Sequence, residues 1–174
     1  MTTSSIAADA AAVVGVEPCP ALVPDHMAAH TSCLALKVGQ VVFRVMEAGL
    51  AEFGLRIRHY SVLGTLLDPG PMSQQDLGTY LRIDAATIVA TIDDLERLGL
   101  VARTRGLRDR RRYVVSITDS GRAMLERIDG FVDEFDAKYL ADVTVTQRRQ
   151  LHRMLTKLSQ GGTLVSAFDA VRSG

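Results

Sequence analysis

At 174 residues the chain has the length of one domain, and 47% of its residues are apolar, enough for a sizeable core. Its 20 basic and 20 acidic residues balance, so any interaction that depends on charge must come from local concentration. No uninterrupted apolar run reaches membrane-spanning length, and two cysteines, Cys19 and Cys33, do not make a disulfide framework. The sequence lacks a Gly-rich phosphate loop, a nucleophile elbow and paired metal-binding cysteines, so neither an enzyme nor a cofactor is expected.

Residues 1–25 contain no Lys or Arg; the first is Lys37. A secretory leader needs a basic start, so none is expected. The segment is rich in Ala and Ser and then broken by Pro18, Pro20 and Pro24, which reads as a flexible N-terminal arm. From about Asp25 or Met27 to Ala51 one long helix is predicted, with Leu34, Val38, Val41, Val42 and Val45 on one side. A second helix follows from Leu55 and stops before the turn Asp68-Pro69-Gly70-Pro71.

Met72 to Thr118 is the most informative stretch. Ser73 is a good N-cap with Asp76 three residues on, opening a short helix that ends near Arg82. Asp84 opens another, in which Ile88, Ile92, Leu95 and Leu98 recur at helical spacing. Gly99 suits a left-handed C-cap and Leu100 the apolar contact after it. Two helices joined by a tight turn make a helix-turn-helix, whose second helix can enter a DNA major groove. Strand-forming runs then occupy 100–104 and 113–117. Between and around them lie six arginines (Arg103, Arg105, Arg108, Arg110, Arg111 and Arg112) and one acid, Asp109. Such a hairpin in a neutral chain points to a polyanion.

Beyond the hairpin, Thr118 caps a helix predicted to run to about Leu140, with Met124, Leu125, Ile128, Phe131, Val132 and Phe135 on a broad apolar face. Thr144 with Gln147 reads as a capping box for a last helix carrying Leu151, Met154, Leu155 and Leu158, ended by Gly161-Gly162. A complete helix-turn-helix leaves these two apolar helices little of their own domain to cover, so burial against the first helix and a second copy is expected.

The ordered set Gly99-Leu100-Val101-Ala102-Arg103, Asp109-Arg110-Arg111 and Val115 to Gly121, following a helix-turn-helix, resembles the multiple antibiotic resistance regulator (MarR) family over about Leu34 to Leu158. The resemblance implies a mainly α (α+β) fold: a winged helix-turn-helix with N- and C-terminal dimerisation helices. It divides the chain into an arm (1–25), a dimerisation helix (26–54), a DNA-binding region (55–118) and C-terminal dimerisation helices with a tail (119–174). It also implies a cytoplasmic homodimeric repressor that binds a pseudopalindromic double-stranded DNA operator and is released by a small molecule or an oxidant.

The residues expected at DNA are Ser73 and Gln74, where backbone N–H groups at a helix start suit a phosphate, then Ala85, Ala86, Thr87, Ala90 and Thr91 on the recognition helix, and the six arginines of the hairpin. Asp109 is expected to orient Arg111. Related helices often carry an arginine where this one has Ala85 or Ala90, so bidentate guanine readout from the helix is not expected, and the wing arginines should carry more of the affinity. The effector implied is a small aromatic acid or phenol. In the family such ligands sit between the dimer helices and the winged helix, positions matched by His30, Arg44, His59 and Tyr60. Two alternatives rest on the first helix. Cys33 lies where the family's peroxide sensors place a reactive thiol, although no tyrosine precedes Tyr60; and His26, His30 and Cys33 fall at ligand spacing for a metal.

Overall fold

The computed structural model describes residues 21–105 and 113–173. The described residues divide into two compact units that meet between Val45 and Met46. The division falls inside a helix.

In the first unit the single predicted helix is two. Helix α1 spans Asp25–Ala28, and α2 spans Thr31–Ala51, running on into the second unit. The break lies at Ala29-His30: the His30 N–H still donates to the Met27 carbonyl, while the His30 carbonyl accepts from Cys33 and Leu34 and starts the new helix. Of the predicted apolar side, Leu34 and Val38 are 40% and 48% exposed.

The second unit begins with the last turn of α2 and continues through α3 (Ile57–Leu67), β1 (Met72–Ser73), α4 (Gln74–Leu81), α5 (Ala85–Arg97), β2 (Val101–Arg105), β3 (Tyr113–Ile117), α6 (Asp119–Tyr139), α7 (Val145–Gln160) and α8 (Gly162–Ser173). The hairpin strands β2 and β3 pair antiparallel, Val101 opposite Ile117 and Arg103 opposite Val115. A short strand that periodicity did not predict, β1, pairs with the other side of β3, Met72 opposite Val115. Two residues show no alternation, so the sheet order β1-β3-β2 was not legible in advance.

The core forms where the helix-turn-helix meets this sheet. Leu63, Leu77, Ile88, Ile92, Leu95 and Val115 are each no more than 2% exposed. Helix α6 lies against α3, burying Leu125, Ile128 and Phe135 as the apolar face predicted. Leu98 departs from the predicted set: it is the C-cap of α5, past the last helical residue, and is 49% exposed. Gly99 follows with φ +70, the left-handed stop expected there. The capping predictions hold at Ser73, Asp84, Thr118 and Thr144, each side chain accepting from the backbone N–H three residues on.

The last glycine of the motif acts through space rather than torsion. The Thr118 N–H donates to the Leu100 carbonyl at 3.1 Å, which draws the start of α6 onto the end of the turn after α5. A Cβ on Gly121 would lie 2.1 Å from the Leu100 oxygen and 2.7 Å from Ile117 Cγ1.

At the C-terminus the structure adds a helix. Gly161 is extended (φ −73, ψ 129) and ends α7, but α8 begins at the next residue instead of a tail. Leu164, Phe168 and Val171 recur at helical spacing within it. Arg82 in the turn between α4 and α5 donates from Nε to Asp169 on α8 at 3.0 Å.

Gly121→Ala should therefore destabilise the protein by about 1–3 kcal/mol through overpacking against backbone. Gly130→Ala, nine residues on in the same helix with nothing within 4 Å of its added Cβ, should stabilise by about 0.5–1 kcal/mol. Urea midpoints of the two variants against wild type check the pair, and equal shifts would contradict the close approach.

Candidate nucleic-acid interface

The helix-turn-helix is built by its caps. Ser73 Oγ accepts from the Asp76 N–H at 3.2 Å and donates to Asp76 Oδ2 at 2.6 Å. Between the helices Arg82 takes φ 55, and Ile83 N–H closes the turn on the Gly78 carbonyl at 2.9 Å. Asp84 then caps α5, accepting from Thr87 N–H at 2.9 Å. Hydrogen bonds from the Thr87 side chain, then from its backbone, hold the Asp84 carboxyl below the usual carboxylate range.

Burial divides the predicted reading residues. Ala85, Ala86 and Ala90 are exposed. Val89, absent from the expected set, joins them at 41% exposed, because it lies one turn on from Ala85 and Ala86. Thr91 does not belong here. It is fully buried, since three and four residues from Ile88 and Leu95 it falls on the core side of the helix. Its hydroxyl donates to the Thr87 carbonyl at 2.7 Å, so a polar side chain sits in the core with its hydrogen bond made. Polarity had suggested an outward residue; helical phase decides otherwise. A concavity of about 330 Å³ lies between the two helices, lined by Gln74, Thr79, Asp84, Ala85 and Val89 among others.

Arg103 is the larger correction. As a wing arginine it was expected on phosphate. Its side chain is only 16% exposed and forms ion pairs with Asp93 and Glu96 of α5 through Nη2 and Nη1. Its Nε donates to Gln74 Oε1 at 3.1 Å, and its backbone N–H donates to Glu96 Oε1 at 3.2 Å. Burial opposes its charge, and the hydrogen bonds to Asp93 and Glu96 outweigh that, so the guanidinium is held more firmly charged than a free one. The Gln74 side chain is likewise turned to Arg103 rather than to a ligand. Arg105, opposite Tyr113 at the end of the paired strands, is exposed. Arg108, Asp109, Arg110, Arg111 and Arg112 lie outside the described residues, as does Cys19.

A second ionic group holds the other flank of α5. Asp94 Oδ2 lies 3.6 Å from His59 Nε2 and 4.0 Å from Arg58 Nη2 of α3, and its Oδ1 pairs with Arg97. Expectation missed Asp93, Asp94 and Glu96 because each pairs across elements, where sequence has no period to follow. The signal available was three acids within four residues of a helix flanked by arginines.

Of the expected effector residues, His59 and Tyr60 lie in the second unit and His30 and Arg44 in the first. His59 is buried (4% exposed), and its Nδ1 accepts from Arg56 N–H at 3.1 Å at the start of α3, so it has a structural task. Burial first, then the Arg58 guanidinium, lower its pKa from the ordinary 6.5 and outweigh the pull of Asp94; Arg56 adds to the lowering. Tyr60 donates its hydroxyl to Asp129 Oδ1 of α6 at 3.2 Å. Burial, then the Asp129 charge, raise its pKa. In the first unit His30 and Arg44 are exposed, and Cys33 is a free, partly buried thiol in the first turn of α2. His26 and His30 have ring centroids 6.3 Å apart. No three metal-ligating side chains among the described residues are arranged to hold an ion, and the break at Ala29-His30 interrupts the single helical face that the metal alternative required. No helix among the described residues is long and apolar enough to cross a membrane.

Comparison with known proteins agrees with this architecture. The MarR family profile matches residues 53–112. An HTH-type transcriptional repressor of Mycobacterium tuberculosis is 30% identical over 125 residues, covering 72% of this chain and 90% of that one. Among solved structures, a MarR-family transcriptional regulator of Rhodococcus sp. RHA1 superposes with a TM-score of 0.69 at 25% identity, over 79% of this chain and 99% of that one. The regulator CouR of Rhodococcus jostii, bound to p-coumaroyl-CoA, gives 0.65 at 27% identity, over 79% and 96%.

The His59 geometry has a pH consequence. A proton on Nδ1 would face the Arg56 N–H donor, so protonation removes the hydrogen bond. A histidine with a lowered folded pKa contributes stability that is present above its unfolded pKa and lost as pH falls through the folded value. Wild type should lose stability on acidification from pH 7.5 to 5 more steeply than His59→Gln, whose side-chain carbonyl can accept the same N–H without titrating. Urea midpoints across that range check this, and parallel curves would contradict it.

Proposed function

Because the chain belongs to the MarR family of winged helix-turn-helix transcription regulators, we propose that it is a ligand-responsive repressor that binds its operator as a homodimer in the cytoplasm and is released by a small aromatic or phenolic compound. The observation that carries the DNA-binding part is the outer stripe of α5. Ala85, Ala86, Val89 and Ala90 stand clear of the core on a helix that is capped at its start, buried on its inner side and ion-paired further along. Small side chains let such a helix approach the groove floor and meet thymine methyls, while the arginines from Arg105 to Arg112 supply phosphate contacts. The backbone N–H groups at the start of α4, beside Ser73, are proposed to meet a phosphate.

Unsatisfied apolar surface supports the dimer. Helix α7 buries no residue, yet Met154, Leu155 and Leu158 recur on it at helical spacing and are 57%, 53% and 55% exposed. Leu34 and Val38 of α2 are exposed in the same way. Stripes of this kind mark interfaces. Two copies related by a two-fold axis would present two recognition helices to half-sites about one helical turn apart.

The aromatic effector is supported by CouR, which has p-coumaroyl-CoA bound. Tyr60, already hydrogen-bonded to α6, and the exposed His30 and Arg44 are the side chains proposed to meet it, an arginine being suited to fork onto a carboxylate. His59 is set aside for this role. To weaken DNA binding a hundredfold, the effector must favour the DNA-incompetent state by about 2.7 kcal/mol.

Light scattering and fluorescence anisotropy on a duplex selected from a random pool by the wild-type protein test this reading. The expected result is a dimer at micromolar concentration and release of DNA by p-coumaroyl-CoA or a simple aromatic carboxylate. Arg110→Ala or Arg111→Ala should flatten the dependence of log K on log salt by about one. A stable monomer contradicts the assembly, and release by peroxide that Cys33→Ser abolishes, with none by aromatic acids, replaces the effector with an oxidant.

A further inference from the structure

We propose that Arg103 is a positioning residue of the DNA-reading surface: it neutralises two acids on the recognition helix and locks that helix to the wing and to the start of α4, without contacting phosphate itself. The inference rests on DNA binding by α5 and the wing.

It starts from a conflict in the outer stripe of α5. At helical spacing Ala86, Val89 or Ala90, Asp93 and Glu96 follow one another on one exposed side. The Asp93 and Glu96 side chains are 57% and 41% exposed. A helix that lays its alanines into a groove therefore carries two carboxylates one and two turns further along the same side, beside a polyanion that repels them. Arg103 resolves this. Its Nη2 pairs with Asp93 and its Nη1 with Glu96, one planar group bridging two carboxylates three residues apart.

The third donor gives the bridge its mechanical role. Nε is bound to Gln74 Oε1 at 3.1 Å, so Arg103 joins three elements: β2, α5 and the start of α4. Within the sheet it sits opposite Val115, and Val115 sits opposite Met72, two residues before Gln74. The side chain and the strand pairing thus connect the same elements by two routes. With Nε, Nη1 and Nη2 each donating and 16% of the side chain exposed, the two N–H groups left over have little surface to offer a phosphate. A lysine, as a point charge on a flexible stem, cannot hold three acceptors in one plane.

Salt dependence separates this role from a phosphate contact. With the duplex selected by wild type, Arg103→Ala should weaken binding at least tenfold while leaving the slope of log K against log salt unchanged. Arg103→Lys should recover little of the loss. The double variant Asp93→Asn with Glu96→Gln frees the guanidinium to meet a phosphate, so its slope should steepen by about one. A slope flattened by about one in Arg103→Ala, or wild-type affinity in that variant, would overturn the proposal. Should Arg103→Ala lack the far-UV circular dichroism of the folded protein, the double variant decides alone, an unchanged slope counting against the bridge. Failure of wild type to enrich any duplex would instead overturn DNA binding itself.

Discussion

A helix that offers part of one stripe to a groove must be held by the rest of its surface. Helix α5 is held at three places. Below, Ile88, Ile92 and Leu95 are sealed in the core. Further along the outer stripe, past the alanines, Asp93 and Glu96 are tied to the wing strand through Arg103; on a flank, Asp94 faces Arg58 and His59 of α3. Apolar packing fixes depth but tolerates rotation and sliding, whereas ion pairs to two different elements fix azimuth and register. Preorganisation of this kind lowers the ordering cost at DNA binding.

This arrangement explains why the face-up residues are so small. Ala85, Ala86 and Ala90 contribute almost no packing and no hydrogen bonds, so the helix takes its placement from elsewhere. None of these positions holds an arginine, so on the proposed reading discrimination rests on shape and methyl contacts rather than on bidentate guanine contacts from the helix. Placement of α5 relative to the wing then matters more than it would for a helix with strong base-edge contacts of its own.

The helices, caps and hairpin were legible because each has a local signature. Ser73, Asp84, Thr118 and Thr144 announce helix starts through a bond three residues away, and Gly99 a stop through its own torsion. The family resemblance rested on Gly99 to Gly121, and Gly121 is now seen to serve the contact with Leu100. Pairings between elements were not legible. Arg103 looked like one more wing cation because nothing in sequence ties it to Asp93; Thr91 looked outward because its class outweighed its phase; His59 looked like a ligand because its partner, the Arg56 N–H, is a backbone group. The short strand at Met72 and the helix after Gly161 were missed for a related reason: two residues show no period, and a glycine pair reads as an end. At the molecule's own apolar stripes the sequence was a better guide, since Leu151 to Leu158 showed their spacing in advance and the single chain leaves them exposed.

The central claim is that the ion pairs to Arg103 couple α5 to the wing, rather than merely coexisting on the surface. A double-mutant cycle on unfolding free energy, pairing Arg103→Ala with Glu96→Ala, measures that coupling without DNA. The account predicts an interaction energy of at least about 0.5 kcal/mol, as for groups sharing one hydrogen-bond and salt-bridge network. Additivity within about 0.3 kcal/mol, the behaviour of independent sites, would contradict it.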